Sequence, residues 1–307
     1  MMKISAIIST YNRSQFLEGL FESILQQNID TSYYEVVIVN NNSTDDTELK
    51  CRQFIAANPS IRIKYVKERQ QGLSFGRNRG IKESEAEYLT FLDDDAVLTP
   101  NFMEETVTFL DAHPEVSAIG GKILLKYLCE KPSWSNPYMA SLFGFFDKGD
   151  KSKQFTTDYF RGSNMSFRAD LFQNYDAFNT KLGRVGRQLY GNEEKELFFR
   201  LQSGSEKMWY VPQAVVLHLV PVERTSPDFI KKQAIGTGIS QRRHAQVQGK
   251  FQELFALLKE ALKWVATFGL AFIYTLRMKF AVAKMLIFFR KWVSYGMLFH
   301  DSATKLL

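Results

Sequence analysis

The feature that most constrains the fold is an apolar run, residues 88–92, that ends abruptly in three adjacent carboxylates, Asp93, Asp94 and Asp95. Such a run is typical of a buried strand in a parallel sheet. The carboxylates cannot belong to the core, because unpaired buried charges are very costly. A helix N-cap would use one of them, Asp95, and leave the other two without a role. In open α/β sheets the ligand crevice lies outside the carboxyl ends of the strands, where oxygen ligands suit Mg²⁺ or Mn²⁺ bound to substrate phosphates.

Strand-like and helix-like segments alternate along the first part of the chain. The predicted strands span residues 4–8, 35–39, 62–66, 88–92 and 116–121. This alternation indicates a doubly wound α/β sheet, in which the loop leaving each strand faces one common edge. Three polar loops, at residues 9–13, 40–47 and 93–95, are therefore expected to meet at that edge. Together they would form a site of the size of a nucleotide.

Composition and missing motifs exclude several classes of protein. With 45% hydrophobic residues the chain can bury a large core, so global disorder is excluded. The two cysteines, Cys51 and Cys129, have no metal-binding spacing, which fits a reducing, cytosolic setting. The apolar run at residues 4–8 is too short for a signal peptide. A G-x-G-x-x-G sequence after the first strand and a Walker A sequence are both absent, which disfavours dinucleotide dehydrogenases and P-loop enzymes.

Several segments, in order, resemble glycosyltransferase family 2, the inverting nucleotide-sugar enzymes with a GT-A fold. The matching segments are residues 7–13, 37–45, 76–81, 91–95 and 191–201, within residues 3–222. The resemblance implies a GT-A, Rossmann-like, mixed and mostly parallel sheet flanked by helices. It also implies transfer of a sugar from a nucleoside-diphosphate sugar to an acceptor hydroxyl in cell-surface glycan or polysaccharide biosynthesis. The bound metal would be Mn²⁺ or Mg²⁺.

The resemblance assigns several residues to the donor. Ser9, Tyr11 and Asn41 would lie around the nucleobase. The sequence has Asn40-Asn41 where many members carry Asp-Asp or Asp-Asn, and Asn offers both a donor and an acceptor. The nucleotide therefore stays open among UDP-, dTDP- and GDP-linked sugars. The other expected donor and metal contacts are Arg77 beside the base or diphosphate, Asp93 and Asp94 on the donor, Asp95 on the metal, and Gly162 and Asn164 near the donor sugar.

A helix is predicted over residues 191–201, with three glutamates in its first turn. The helix macrodipole alone would favour acidic residues there. The chemistry nevertheless needs one carboxylate, because an attacking sugar hydroxyl must lose its proton. Glu194 is the predicted base by alignment with the family's acidic pair, and Glu193 is its rival and a candidate substrate contact. A metal would act as Lewis acid on the leaving diphosphate, so the reaction would be a single displacement that inverts the anomeric centre.

Two further residues are candidates near the metal and the diphosphate. His218 lies in an apolar segment, residues 215–220, where a lone His is usually a core residue. Relatives place a metal-reaching His at this position, so ligand and core remain equally open. Arg224 follows that segment and is expected to face the diphosphate as a bidentate donor.

The C-terminal part of the chain differs in charge from the rest. Residues 229–307 carry 13 Lys and Arg against 3 Asp and Glu, whereas residues 1–228 carry 26 against 30. We predict a catalytic domain at 1–228 and a helical, basic region at 229–307. Its longest uncharged run, residues 264–276, is shorter than the ~20 residues of a spanning helix. Basic, apolar helices suit the interface of an anionic leaflet.

The expected setting is therefore peripheral, on the cytoplasmic face of the cell membrane, with a glycan or lipid-linked acceptor. A helical subdomain packed on the core or a homodimer contact stays open for the C-terminal region. Nucleic acid is not an expected partner, because no nucleic-acid motif occurs and the front of the chain is acidic. Two other functions remain as alternatives, a catalytically degenerate nucleotide-sugar-binding membrane protein and a nucleotidyltransferase.

Overall fold

The computed structural model describes residues 2–156, 158–186 and 191–299. The chain forms two compact units. Within the described residues, the first unit comprises 2–126, 144–156, 158–186 and 191–219, and the second comprises 127–143 and 220–299. The predicted functional division at residue 228 stays a prediction.

A mixed sheet of nine strands dominates the described part of the first unit. Its strands are β1 (Ile4–Thr10), β2 (Tyr34–Asn40), β3 (Arg62–Lys67), β4 (Tyr88–Asp93), β5 (Ala96–Leu98), β6 (Ala118–Tyr127), β7 (Lys153–Gln154), β8 (Met165–Arg168) and β9 (Met208–Val220). The order is β3-β2-β1-β4-β8-β6-β9-β5, with β7 paired to β9. β1 to β4 pair in parallel, whereas β8 pairs antiparallel with β4 and β6, and β9 with β5 and β7.

Helices cover the sheet and form the C-terminal part of the described chain. They are α1 (Ser14–Leu25), α2 (Thr47–Ala57), α3 (Leu73–Glu83), α4 (Phe102–Ala112), α5 (Pro137–Ala140), α6 (Leu171–Asn174), α7 (Glu193–Ser203), α8 (Pro227–Gln248), α9 (Lys250–Leu276) and α10 (Phe280–Leu298). The mixed α/β class that the resemblance implied, with its helical C-terminal region, is confirmed. The strand predicted at residues 116–121 is observed as β6, which begins two residues later and continues to Tyr127. The apolar segment at residues 215–220 is only the last part of β9.

Alternate side chains of the central strands fill two cores on opposite faces of the sheet. Ile8 of β1 and Ile38 of β2 lie in one core, which α1, α2 and α4 cover. Ile7 and Val37, one position away, lie in the other core with side chains of α7. A strand that is buried on both faces is continuously apolar, which is why the sequence shows no polar alternation here.

The helices of the second unit pack through small residues. A Cβ on Gly238 of α8 would lie 2.0 Å from the carbonyl oxygen of Val293 on α10. A Cβ on Gly296 of α10 would lie 2.2 Å from the carbonyl oxygen of Ile235 on α8. These two glycines therefore allow the two helix backbones to approach closely. Among the described helices, none combines the length and the apolar character needed to cross a membrane.

Candidate active site

The register of the parallel strands brings the three polar loops together. Ser9 at the end of β1 is level with Val39 of β2 and with Asp93 of β4. Thr10, the next residue, is level with Asn40. The carboxyl ends of three adjacent strands therefore lie at one edge of the sheet, as the alternation of strands and helices predicted.

An arginine from the first loop compensates the buried carboxylates. Arg13 Nε lies 2.9 Å from Asp94 Oδ1, and its Nη2 donates a hydrogen bond of 2.5 Å to Asp95 Oδ2. Thr10 Oγ1 donates to the other Asp94 oxygen at 2.9 Å. Burial raises the pKa of Asp94 to about 7, while the positive charge of Arg13 opposes this shift. Arg13 was not among the predicted site residues, although its loop was predicted to reach the acidic edge.

A possible metal site lies beside this arginine. Ligand atoms of Asp93, Asp95 and His218 all lie within 4.8 Å of one another. The antiparallel pairing of β5 and β9 sets Ala96 level with His218, so the imidazole comes next to the end of the acidic run. His218 Nε2 lies 3.2 Å from Asp95 Oδ1, and its buried Nδ1 has no hydrogen-bond partner among the described residues. Two carboxylates with an imidazole form a donor set that fits Mn²⁺.

Arg77 connects this cluster to the start of α7. It is buried on α3, and its Nη1 donates to Glu193 Oε1 at 2.8 Å. Its Nη2 lies 3.4 Å from Asp93 Oδ1 and 3.3 Å from the carbonyl oxygen of Gly162. A Cβ on Gly162 would lie 2.5 Å from Nη2, so a side chain there would displace the guanidinium. The absence of a side chain at Gly162 therefore leaves room for the Arg77 guanidinium in the site.

The residues expected around the nucleobase occupy the same edge. Asn41 is buried, and its amide holds the loop before α3: Oδ1 accepts from the Gly72 backbone N–H at 2.7 Å, and Nδ2 donates to the Gln70 carbonyl at 2.7 Å. A Cβ on Gly76 would lie 2.1 Å from Ser9 Oγ, so α3 packs directly against that hydroxyl. Tyr11 is half-buried. Nucleobase contacts by Ser9, Tyr11 and Asn41 stay predictions.

Asn164 holds strands together through its side-chain amide. Its Oδ1 accepts from the Gly121 backbone N–H at 3.2 Å, and its Nδ2 donates to the carbonyl oxygens of Ala214 at 2.9 Å and Lys122 at 3.1 Å. The side chain therefore links β6 and β9 to the turn before β8. Its predicted contact with the donor sugar stays a prediction.

Comparison with known proteins identifies the family. The model of Glycosyl transferase family 2 matches residues 5–176, more than half of the chain. The chain belongs to glycosyltransferase family 2. A glucosyl-dolichyl phosphate glucuronosyltransferase of Haloferax volcanii is 24% identical to it over 78% of this chain and 77% of the relative. Glycosyltransferase AglE of the same organism is 32% identical over 40% of each chain. A poly(ribitol-phosphate) beta-N-acetylglucosaminyltransferase, TarP of Staphylococcus aureus, is 29% identical over 50% of this chain and 43% of its own.

Solved glycosyltransferases share the fold. The mannosyltransferase PcManGT of Pyrobaculum calidifontis, in complex with GDP-Man and Mn²⁺, matches with a TM-score of 0.64. That match has 18% identity and covers 97% of this chain and 87% of the solved one. Residues 1–349 of S. aureus TarS, in complex with UDP, match with a TM-score of 0.55 and 19% identity, over 95% and 90% of the two chains. The present family 2 glycosyltransferase therefore has the GT-A fold that the resemblance implied.

Glu194 of this glycosyltransferase differs from Glu193 in its surroundings. It is half-buried at the start of α7 rather than buried, and Arg77 pairs with Glu193 and not with it. The Oε2 atoms of both glutamates have no hydrogen-bond partner among the described residues. Burial, with the adjacent charge of Glu193, raises the pKa of Glu194 to about 7. A carboxylate with a pKa near neutrality can accept a proton and release it again.

Arg224 lies in the short 3₁₀ turn Val222–Thr225 of the second unit. Its expected contact with the diphosphate of the donor stays a prediction. The sequence signal for it was only its position after the His218 segment.

Proposed function

We propose that this enzyme is a metal-dependent, inverting glycosyltransferase that transfers a sugar from a nucleoside-diphosphate sugar to an acceptor hydroxyl in glycan assembly. The observation that carries the proposal is the cluster of Asp93, Asp95 and His218 at the sheet edge. Arg77 contacts both Asp93 and Glu193, so the acidic start of α7 belongs to the same network. A metal site and a carboxylate base are the two elements that such a transfer needs.

The proposed chemistry divides between these groups. A divalent cation held by Asp93, Asp95 and His218 would supply Lewis-acid charge for the diphosphate leaving group. The acceptor hydroxyl loses its proton to the Glu194 carboxylate as its oxygen attacks the anomeric carbon. The bond from that carbon to the diphosphate oxygen breaks on the opposite face, so the configuration inverts. Arg77 keeps Glu193 paired, which leaves Glu194 as the carboxylate available for the proton.

The donor and acceptor classes are part of the proposal. UDP-, dTDP- and GDP-linked sugars are all candidates. One of the two similar structures is a complex with GDP-Man and Mn²⁺, and the other is a complex with UDP. One relative, matched over 77% of its length, is a glucosyl-dolichyl phosphate glucuronosyltransferase. We therefore favour a lipid-linked acceptor, with the enzyme peripheral on the cytoplasmic face of a membrane and its C-terminal region on the membrane surface.

Calorimetric titration with UDP, dTDP and GDP, each with and without Mn²⁺, tests the donor site. We expect one nucleotide to bind tightly with Mn²⁺ and to lose that affinity with EDTA. Asp95→Ala should lose the metal-dependent part of binding and abolish turnover, because a metal ligand is removed. Asp170→Ala is the matched control, since Asp170 is exposed and makes no capping hydrogen bond at α6. Metal-independent binding of all three nucleotides, or none, would contradict the proposal.

A further inference from the structure

Helix α9 turns its apolar side outwards. Over its 27 residues, large apolar side chains recur at three-, four- and seven-residue spacing on one exposed face. Phe251, Leu262 and Val265 are 79%, 69% and 70% exposed. The other exposed members of this face, called the α9 stripe below, are Leu254, Phe255, Leu258, Phe268, Phe272, Ile273 and Leu276. At 1.5 Å per residue the stripe is about 40 Å long.

The opposite side of α9 carries its two acidic residues. Glu260 is buried and accepts hydrogen bonds from Ser294 Oγ at 2.8 Å and from Arg290 Nη1 at 3.2 Å, both on α10. Trp264 Nε1 donates to the same Ser294 hydroxyl at 2.9 Å. Glu253 pairs with Arg242 of α8 at 2.6 Å. Both acidic residues of the helix are therefore satisfied inside the second unit.

This arrangement is the reverse of a helix on the surface of a water-soluble bundle, which buries its apolar face and exposes its charges. An exposed apolar face of this length indicates a contact surface. A helix with one exposed apolar face and its acidic residues paired on the other side suits a position along a membrane surface.

The basic residues of the C-terminal helices indicate which kind of surface the α9 stripe contacts. Residues 250–299 contain eight Lys and Arg and two Asp and Glu, the two that pair inwards. Exposed Arg277, Lys279 and Lys284 follow the end of the stripe. Lys279 also lines a pocket of about 420 Å³, with Ser133, Ser135 and Tyr274. An ammonium group beside several hydroxyls suits a phosphate group, as found on anionic lipids.

We propose that α9 lies in the interface of an anionic membrane, with the α9 stripe among the acyl chains and Arg277, Lys279 and Lys284 among the phosphate headgroups. This deepens the proposed membrane setting of the enzyme and rests on it. It also predicts which face of the second unit meets the lipid. A second copy of the chain would need a complementary surface, and the cluster of like charges at the end of the stripe disfavours that packing.

Vesicle sedimentation tests this. Purified protein is incubated with vesicles of phosphatidylglycerol and phosphatidylcholine, or of phosphatidylcholine alone, at low and high salt. We expect binding to the anionic vesicles that weakens with salt. The double variant Leu258→Glu with Leu262→Glu should bind at least about tenfold more weakly, because charged side chains oppose insertion. Lys279→Gln with Lys284→Gln should weaken binding to anionic vesicles only.

The matched control is Leu25→Glu with Leu49→Glu, two exposed leucines of the first unit. It should bind vesicles like the wild type. An equal loss of vesicle binding in the Leu258→Glu, Leu262→Glu variant and in this control would overturn the proposal. The absence of vesicle binding by the wild type would also overturn it. So would a wild-type dimer that ignores vesicles and dissociates in the stripe variant, because the stripe would then join two copies. Nucleotide titration runs in parallel: vesicle binding without metal-dependent nucleotide binding would refute the proposed function alone.

Discussion

Two adjacent glutamates at the start of α7 have different surroundings. Glu193 is buried and its Oε1 forms a 2.8 Å ion pair with Arg77, whereas Arg77 forms no such pair with Glu194. The Oε2 atoms of both glutamates have no hydrogen-bond partner among the described residues. Breaking this buried ion pair to accept a proton would leave Arg77 with only its longer, 3.4 Å ion pair with Asp93. This difference favours Glu194 over its rival as the base, a choice that spacing alone left open.

Glu194→Gln should abolish turnover while donor binding stays near the wild-type value. The amide keeps the shape of the side chain but cannot accept the proton, and general-base catalysis contributes about 10²- to 10⁴-fold. Steady-state transfer and nucleotide titration measure the two effects separately. Glu196→Gln is the control in the same helical turn, because Glu196 pairs with Arg200 along the helix. Substantial activity in Glu194→Gln would show that the base is elsewhere.

The pH dependence of kcat/KM should have the sign expected for this base, and Asp94, whose pKa is also raised to about 7, should ionise over the same range. Burial raises the pKa of Glu194 to about 7, so the carboxylate of the uncomplexed enzyme is protonated below that pH. A base must be deprotonated to act, and kcat/KM should therefore rise as pH increases through about 7. Initial rates at low donor concentration, measured across this range, test the sign. A decrease of kcat/KM with increasing pH through about 7 would contradict Glu194 as the base.

At the scale of elements, two helical glycines of the second unit offer a contrast. Gly238→Ala should destabilise the protein by about 1–3 kcal/mol, because its Cβ would overlap the Val293 carbonyl of α10. Gly269→Ala places the same methyl group in open space on α9 and should stabilise by up to about 1 kcal/mol through helix propensity. Thermal unfolding of both variants measures the difference. Equal shifts in Tm would argue against the close crossing of α8 and α10.

The edge of the sheet was predictable from sequence, because each polar loop directly follows an apolar strand. The partners within that edge were not. Arg13 reaches Asp94 and Asp95 from a loop about 80 residues away, and Arg77 reaches Glu193 on α7. Local periodicity carries no information about such long-range pairs. For Asn164, the position in the motif suggested a contact with the donor sugar. In the structure its amide instead forms hydrogen bonds with three backbone groups.

At the scale of the whole molecule, composition separated the chain into an acidic front and a basic tail but did not orient the tail. The spacing of apolar residues on α9 is that of any amphipathic helix. The exposed fractions of the apolar side chains, together with the pairing of Glu253 and Glu260 with α8 and α10, show that the apolar face is the exposed one.

This orientation predicts that weaker membrane binding lowers transfer to a lipid-linked acceptor but not hydrolysis of the donor in solution. With a lipid-linked acceptor in anionic vesicles, Leu258→Glu with Leu262→Glu should lower the transfer rate at least about tenfold, because less enzyme reaches the surface where the acceptor is confined. Hydrolysis of the nucleotide sugar in solution should stay at the wild-type rate, because neither leucine belongs to the first unit. Both rates are measured on one preparation, with Leu25→Glu and Leu49→Glu as the control. Equal losses in both assays would mean that the substitutions disturb the fold, and no loss in either would place the acceptor away from the α9 stripe.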